Sequence, residues 1–391
     1  MNISHCRICS GKLFSEPLLH YENMPKAAQF LPDAKSLKND KGTDLDICQC
    51  SGCGLVQLNN DPVPHYKDVI RSASFSEEMM KFRIQQFTGF IQKYSLKGKK
   101  IIEIGCGKGE YLSLMNQCSM KCFGLENYRQ SVIECKNKGL TVSQGFIQND
   151  TDKLRSSPFD SFYILNFLEH LPNPNKTLKG IRNNITDDSI GLIEVPNFDM
   201  ILQKNLFSEF TADHLFYFTK ETLKKTLELN GFDLLESNVV WHDYIISAVV
   251  KKSKTMYRSD ERRNRYVGKK LDLSYFYKYQ RKIITEIDNY IGKYKKVAIW
   301  GAGHQALTII SMLNLSSKIK YVVDSALFKQ NKYTPATHIP IVSPDIINSD
   351  SVDAIIIMAA GYSDEIVGTI RQKYDRNIKL SILRDFGLEE I

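Results

Sequence analysis

The sequence predicts an α/β protein built on two parallel sheets covered by helices, with a small metal-binding domain ahead of them. Three observations carry this reading. An apolar run that breaks into a glycine turn and then into helix-forming residues occurs twice, at 101–118 and again at 296–313. Strand and helix patterns alternate after each turn, as a sheet covered on both faces requires. Two Cys-x-x-Cys pairs precede both repeats. A chain of 391 residues is also too long for one ordinary core.

Composition excludes several classes. The 42% hydrophobic and 25% charged content is that of a globular chain, and no apolar run approaches the ~18 residues that span a bilayer. The opening MNISHC has neither a basic nor an apolar signal region, so a cytoplasmic protein without a membrane partner is expected. The net charge of +8 comes mostly from residues 251–270, which hold nine basic and two acidic residues. One local run of this kind reads as a solvated hinge, not as a nucleic-acid surface.

Taken in order, residues 1–75 carry Cys6-x-x-Cys9 and Cys50-x-x-Cys53. Nine cysteines, an odd number, argue against a disulfide framework. The two pairs have the spacing of a structural zinc site, because one tight turn points both thiolates at the same ion. Residues 76–98 place apolar side chains at Met79, Met80, Phe82, Ile84, Phe87, Phe90 and Ile91, the periodicity of a helix.

Residues 99–250 form the first strand–helix alternation. Ile101–Ile104 is a strand, Gly105-x-Gly107-x-Gly109 the turn, and 110–118 a helix. Glycine lets the backbone turn sharply and a ligand lie against it. The second strand ends in Glu126, an acid placed to accept hydrogen bonds from ribose hydroxyls. Gly145-Phe146 marks a third strand end, and 159–166 is a fourth strand leading into Glu169-His170. A fifth strand covers 191–197, and Thr211–Thr219 leads into a helix closed by Asn230-Gly231. Glu221 stands at the wrong spacing from Thr219, so no capping box is expected there.

Beyond the basic run, 271–291 is helical, completing a 251–292 hinge segment. Residues 293–391 repeat the strand–turn–helix plan with Gly301-Ala302-Gly303-His304-Gln305-Ala306, a turn whose helix N-terminus suits a diphosphate. The next strand ends in Asp324, and 353–360 is a later buried strand.

The Glu103-x-Gly-x-Gly-x-Gly109 loop resembles motif I of class I S-adenosylmethionine-dependent methyltransferases, and Asn166 with Glu169-His170 resembles their post-strand motif. The full order of parts resembles the sugar C-methyltransferase family. The Cys-x-x-Cys pairs with Cys53-Gly54-Leu55-Val56-Gln57 carry this resemblance, together with Asp213-His214-x-x-Tyr217-Phe218-Thr219. Tyr321–Asp324 with Lys329, Tyr333-Thr334-Pro335 and His338-Ile339-Pro340 add to it. It implies a zinc-binding domain, a central Rossmann-like methyltransferase sheet and a second Rossmann-like domain for a nucleotide sugar.

The same resemblance implies S-adenosylmethionine as methyl donor, held by Glu103, Gly105, Gly107, Gly109, Glu126, Asn166 and Glu169. Cys6, Cys9, Cys50 and Cys53 would bind zinc. Tyr217, His304, Asp324, Lys329 and Tyr333 would face the nucleotide sugar. His214, with Asp213 beside it, would remove the C3 proton of a 4-keto-deoxysugar so that the enolate carbon takes the methyl. Where the family has a tyrosine before paired serines, this chain has Ile70 before Ser72 and Ser74, with Tyr66 four residues earlier. Methyl transfer to oxygen or nitrogen is the alternative this departure leaves. A nucleotide-binding oxidoreductase or a non-catalytic protein is the other, although the G-x-G-x-G spacing disfavours NAD at the first turn.

Overall fold

The computed structural model describes residues 3–27, 31–67, 76–254 and 270–391. Ile70, Ser72, Ser74 and most of the basic run lie outside them. The chain divides into two compact units, each drawn from separate stretches. Residues 1–16, 48–200 and 214–270 make the first, and 17–47, 201–213 and 271–391 the second. No helix among the described residues is long and apolar enough to cross a membrane.

The first unit is organised around a seven-stranded sheet. Helix α1 (Glu77–Lys93) starts at Ser76, whose hydroxyl accepts the Met79 N–H, and carries Glu77 and Glu78 in its first turn, where the helix dipole favours acids. Strand β1 (Lys100–Ile104) leads through the glycine turn into α2 (Glu110–Gln117), and β2 (Lys121–Glu126) into α3 (Arg129–Asn137). There follow β3 (Val142–Gln144), β4 (Phe159–Leu165), α4 (Pro174–Arg182) and β5 (Ile185–Pro196). Helix α5 (Lys220–Leu229) precedes the antiparallel pair β6 (Phe232–Val240) and β7 (Ile245–Lys252).

The strand order is β6-β7-β5-β4-β1-β2-β3, with β7 antiparallel to β5. β1 pairs in parallel with both β2 and β4, so the chain winds outward in two directions from it. That reversal leaves a crevice beyond the carboxyl ends of β1 and β4, the place where open α/β sheets bind ligands.

Two local findings differ from the sequence reading. Ile84 is 39% exposed, whereas Arg83 is fully buried with Met79 and Phe87 on the packed face of α1. A capping box does open α5, because the Thr222 hydroxyl accepts the Thr219 N–H while Thr219 accepts that of Thr222. A threonine thereby takes the role sought in a glutamate.

The second unit contains a sheet of its own. Helix α6 (Ser274–Ile291) precedes β8 (Val297–Trp300), α7 (His304–Met312), β9 (Val322–Val323), β10 (Lys332–Tyr333), β11 (Pro340–Val342), β12 (Ala354–Ile357), α8 (Ser363–Lys373), β13 (Lys379–Arg384) and β14 (Gly387–Glu390). Their order is β10-β11-β9-β8-β12-β13-β14, again reversing at the first strand.

An N-terminal stretch completes this unit. Strand Leu19–Met24 pairs antiparallel with Thr43–Gln49, and the loop between them docks on residues 333–338. Pro32 O accepts the Tyr333 N–H at 2.9 Å, and Asp40 accepts the Ala336 N–H at 2.6 Å while facing His338 Nε2 at 2.9 Å.

One close approach in the central sheet gives a stability test. A Cβ on Gly191 of β5 would lie 2.2 Å from the Phe162 ring, which cannot withdraw from a fully buried site. Gly191→Ala is expected to cost about 1–3 kcal/mol, read as a lower denaturant midpoint at unchanged slope. A co-introduced Phe162→Leu should recover part of that loss.

Candidate functional site

The glycine turn and Glu126 are joined directly. Gly107 N–H donates to Glu126 Oε2 and Tyr128 N–H to Oε1, both at 2.8 Å. These two backbone bonds fix the orientation of the carboxylate, one on each oxygen. Gly109 caps α2 at φ 79°, and a Cβ there would meet Leu140 Cδ1 at 2.5 Å. Glu103 is fully buried within β1, accepting from the Tyr163 hydroxyl at 3.0 Å, and desolvation drives that phenol well above its ordinary pKa. The structure thus brings the glycine turn and Glu126 together, with Glu103 buried in the adjoining strand.

At the end of β4, Asn166 adopts φ 48°, a left-handed conformation that asparagine tolerates, and its N–H donates to Glu194 O at 2.9 Å. A short helical turn then brings Glu169 and His170 to His214. The two imidazoles meet edge-to-face with centroids 4.7 Å apart. His170 Nε2 lies 3.9 Å from the buried Glu169 carboxylate, and ligand atoms of all three residues fall within 4.8 Å of one another. Leu215 N–H donates to Glu169 O at 2.8 Å, which fixes the two segments in register. The contact of His170 with His214 places it in the cluster.

The remaining candidates are distributed as follows. Asp213 accepts from the Thr211 hydroxyl at 2.6 Å and lines a small cleft of the second unit with His304, Phe210 and Met24. Tyr217 is buried against Phe198. Asp324 accepts the Ala302 and Ala326 N–H groups and the Lys329 ammonium, each at 2.9 Å, so this pair clamps the second glycine turn. Tyr333 lies in β10, half-buried. Phe146 packs edge-on against Tyr66 and Phe167.

The four cysteines converge. Sγ separations are 3.7 Å for Cys6–Cys53 and 3.5 Å for Cys9–Cys50, and all four sulfurs lie within 4.8 Å of one another. Tetrahedral zinc with Zn–S bonds of about 2.3 Å sets its sulfurs about 3.8 Å apart. Backbone N–H groups of Ile8, Gly11, Gly52 and Cys53 point at these sulfurs at 3.2–3.4 Å. Such donors favour thiolates, the form a metal needs.

Residues 77–237 match the family model described as a methyltransferase domain, and the chain is an S-adenosylmethionine-dependent methyltransferase. Residues 274–382 match a second family model, described as a C-methyltransferase C-terminal domain. It is similar to C-methyltransferase NovU of Streptomyces niveus, with 21% identity over 388 residues that cover 93% of this chain and 91% of that protein. Among solved structures, an S-adenosylmethionine-dependent methyltransferase from Clostridium acetobutylicum ATCC 824 aligns with 48% of this chain and 96% of its own, at 13% identity and TM-score 0.38. Magnesium protoporphyrin IX methyltransferase (ChlM) from Synechocystis PCC 6803 aligns with 47% and 90%, at 14% and 0.37.

Replacing Glu126 tests its part in cofactor binding. Hydrogen bonds to a charged group are worth about 1.5–3 kcal/mol, so Glu126→Ala should weaken S-adenosylhomocysteine at least tenfold in titration calorimetry. The ligand-induced rise in melting temperature seen with the unaltered protein should shrink accordingly, and NAD should produce no rise in either.

Proposed function

We propose that this chain methylates carbon C3 of a nucleotide-activated 4-keto-deoxysugar, with His214 as the base. The observation that carries the proposal is His214 held against His170 beside the buried Glu169, at the carboxyl end of β4 in a methyl-donor sheet. Neutral imidazole has an unperturbed pKa close to working pH, which suits it to remove a proton made acidic by the neighbouring ketone. The S-adenosylmethionine sulfonium supplies an electrophilic methyl when bound.

In this mechanism His214 takes the C3 proton and the C–H electron pair passes into the enolate. The enolate carbon then forms the new C–C bond as the S–CH3 bond breaks, and the ketone is restored. The edge-to-face contact with His170 fixes the plane of the His214 ring, and Glu169 offsets the positive charge the histidines acquire. Asp213, oriented by Thr211, positions the segment that carries the base.

For the nucleotide end, the turn at Gly301–Gly303 precedes α7, whose N-terminal N–H groups suit a diphosphate. His304 opens that helix. Lys329 gives one of its three donors to Asp324 and retains two, and Tyr333 adds a hydroxyl. The match to a C-methyltransferase C-terminal domain supports this assignment. The four-cysteine cluster is assigned to structural zinc: a closed four-sulfur set offers no open position for catalysis.

Incubated in deuterated water with a nucleotide 4-keto-deoxysugar and S-adenosylhomocysteine, the enzyme should exchange the C3 proton. His214→Ala should slow that exchange by about 10² or more. A product methylated on oxygen or nitrogen, with no C3 exchange, would reject the carbon chemistry. Metal analysis of purified protein should find about one zinc per chain. Cys50→Ser should lose that zinc and melt at lower temperature, because binding energy at such a site is folding energy.

A further inference from the structure

Helix α1 carries a charge that its surroundings only half satisfy. Arg83 is 0% exposed, and its Nη1 pairs with Glu194 Oε2 at 2.5 Å and with Gln86 Oε1 at 2.7 Å. The guanidinium lies 4.8 Å from the Tyr111 ring and 5.1 Å from that of Phe82. Its Nε and Nη2 have no hydrogen-bond partner among the described residues. Burying such donors unpaired is costly, so native structures rarely leave them so without a reason.

Which donors are left matters more than how many. Nε–H and one N–H of Nη2 form the side edge of the guanidinium, two parallel bonds that match the two oxygens of a carboxylate. Glu194 occupies the opposite end and supplies the counter-charge. What remains is a buried two-donor edge of the guanidinium with no partner among the described residues.

Position selects which carboxylate. Tyr111 is in the first turn of α2, immediately after the glycine turn, and Glu194 pairs with Leu165, the last residue of β4. Arg83 is therefore anchored from both sides of the β1–β4 reversal. Asn166, whose N–H is bound to Glu194 O, carries a buried amide oxygen with no partner among the described residues. An unmatched guanidinium edge and an unmatched oxygen, linked through one glutamate, are the complement of an α-amino acid: carboxylate for the first, ammonium for the second.

S-adenosylmethionine ends in that group. We propose that Arg83 is the carboxylate receptor for the methionyl end of the cofactor, with Asn166 accepting from its ammonium, and that α1 is thereby part of the cofactor site. Glu194 acts as a positioning residue, holding the guanidinium so that its fork faces the ligand. The sequence pattern contains a trace of this, since Arg83 stands four residues from both Met79 and Phe87 on a stripe otherwise apolar.

The test compares S-adenosylhomocysteine with its decarboxylated analogue, which keeps adenosine, sulfur and amine. Calorimetry on the unaltered protein should show the analogue bound about tenfold to a hundredfold more weakly, the value of a charge-assisted bidentate pair. In Arg83→Lys, which keeps the charge but has no fork, that ratio should fall to about threefold or less. Because a single change at a buried pair can unfold a protein, the double variant Arg83→Met/Glu194→Gln, which leaves no lone charge behind, serves as the second case. A purely structural role would weaken both ligands together and leave the ratio intact. Equal binding of the two ligands by the unaltered protein, or an undiminished ratio in the folded variants, overturns the proposal.

Discussion

A carboxylate at the end of the second strand that grips a backbone N–H of the turn after the first is the constraint on which both sheets depend. Glu126 holds Gly107 in this way and Asp324 holds Ala302. In each case the acid ties a glycine-containing turn to the end of the next strand. The two clasps differ in what surrounds the acid. Glu126 takes a second backbone N–H from Tyr128, whereas Asp324 also receives the Lys329 ammonium. The second closes its loop around an ion pair.

Charge is handled differently in the three polar clusters of the molecule. Four sulfurs with backbone N–H groups aimed at them lie within reach of one another in a closed set. Glu169 with His170 and His214 combines a buried acid with two rings of adjustable protonation. Arg83 with Glu194 is a fixed ion pair, and removing such charges from water is repaid only where the geometry is good and the remaining donors find partners.

Much of this was legible in the chain. The strand–turn–helix repeats, Glu126 and the Cys-x-x-Cys pairs are local patterns whose geometry follows from spacing alone. Glu103 also lay in a local motif, but its bond to Tyr163 depends on two strands being neighbours. Arg83 escaped notice because a periodicity search asks where apolar residues recur and credited Ile84, one position along. Threonine as a capping-box partner escaped because the pattern is usually sought with an acid. The assignment of 17–47 and 201–213 to the second unit left no local trace at all. Long-range packing of that kind is settled by partners hundreds of residues away.

That interleaving sets a timetable for synthesis. Residues 17–47 leave the ribosome long before residues 271–391, the bulk of their unit, exist. At roughly 5–20 residues per second the wait is about ten seconds or more. Throughout it, Leu19, Tyr21, Leu45 and Ile47, each nearly or fully buried in the finished fold, lack the core that covers them. Until residues 271–391 are made, this apolar surface has no complete core to enter.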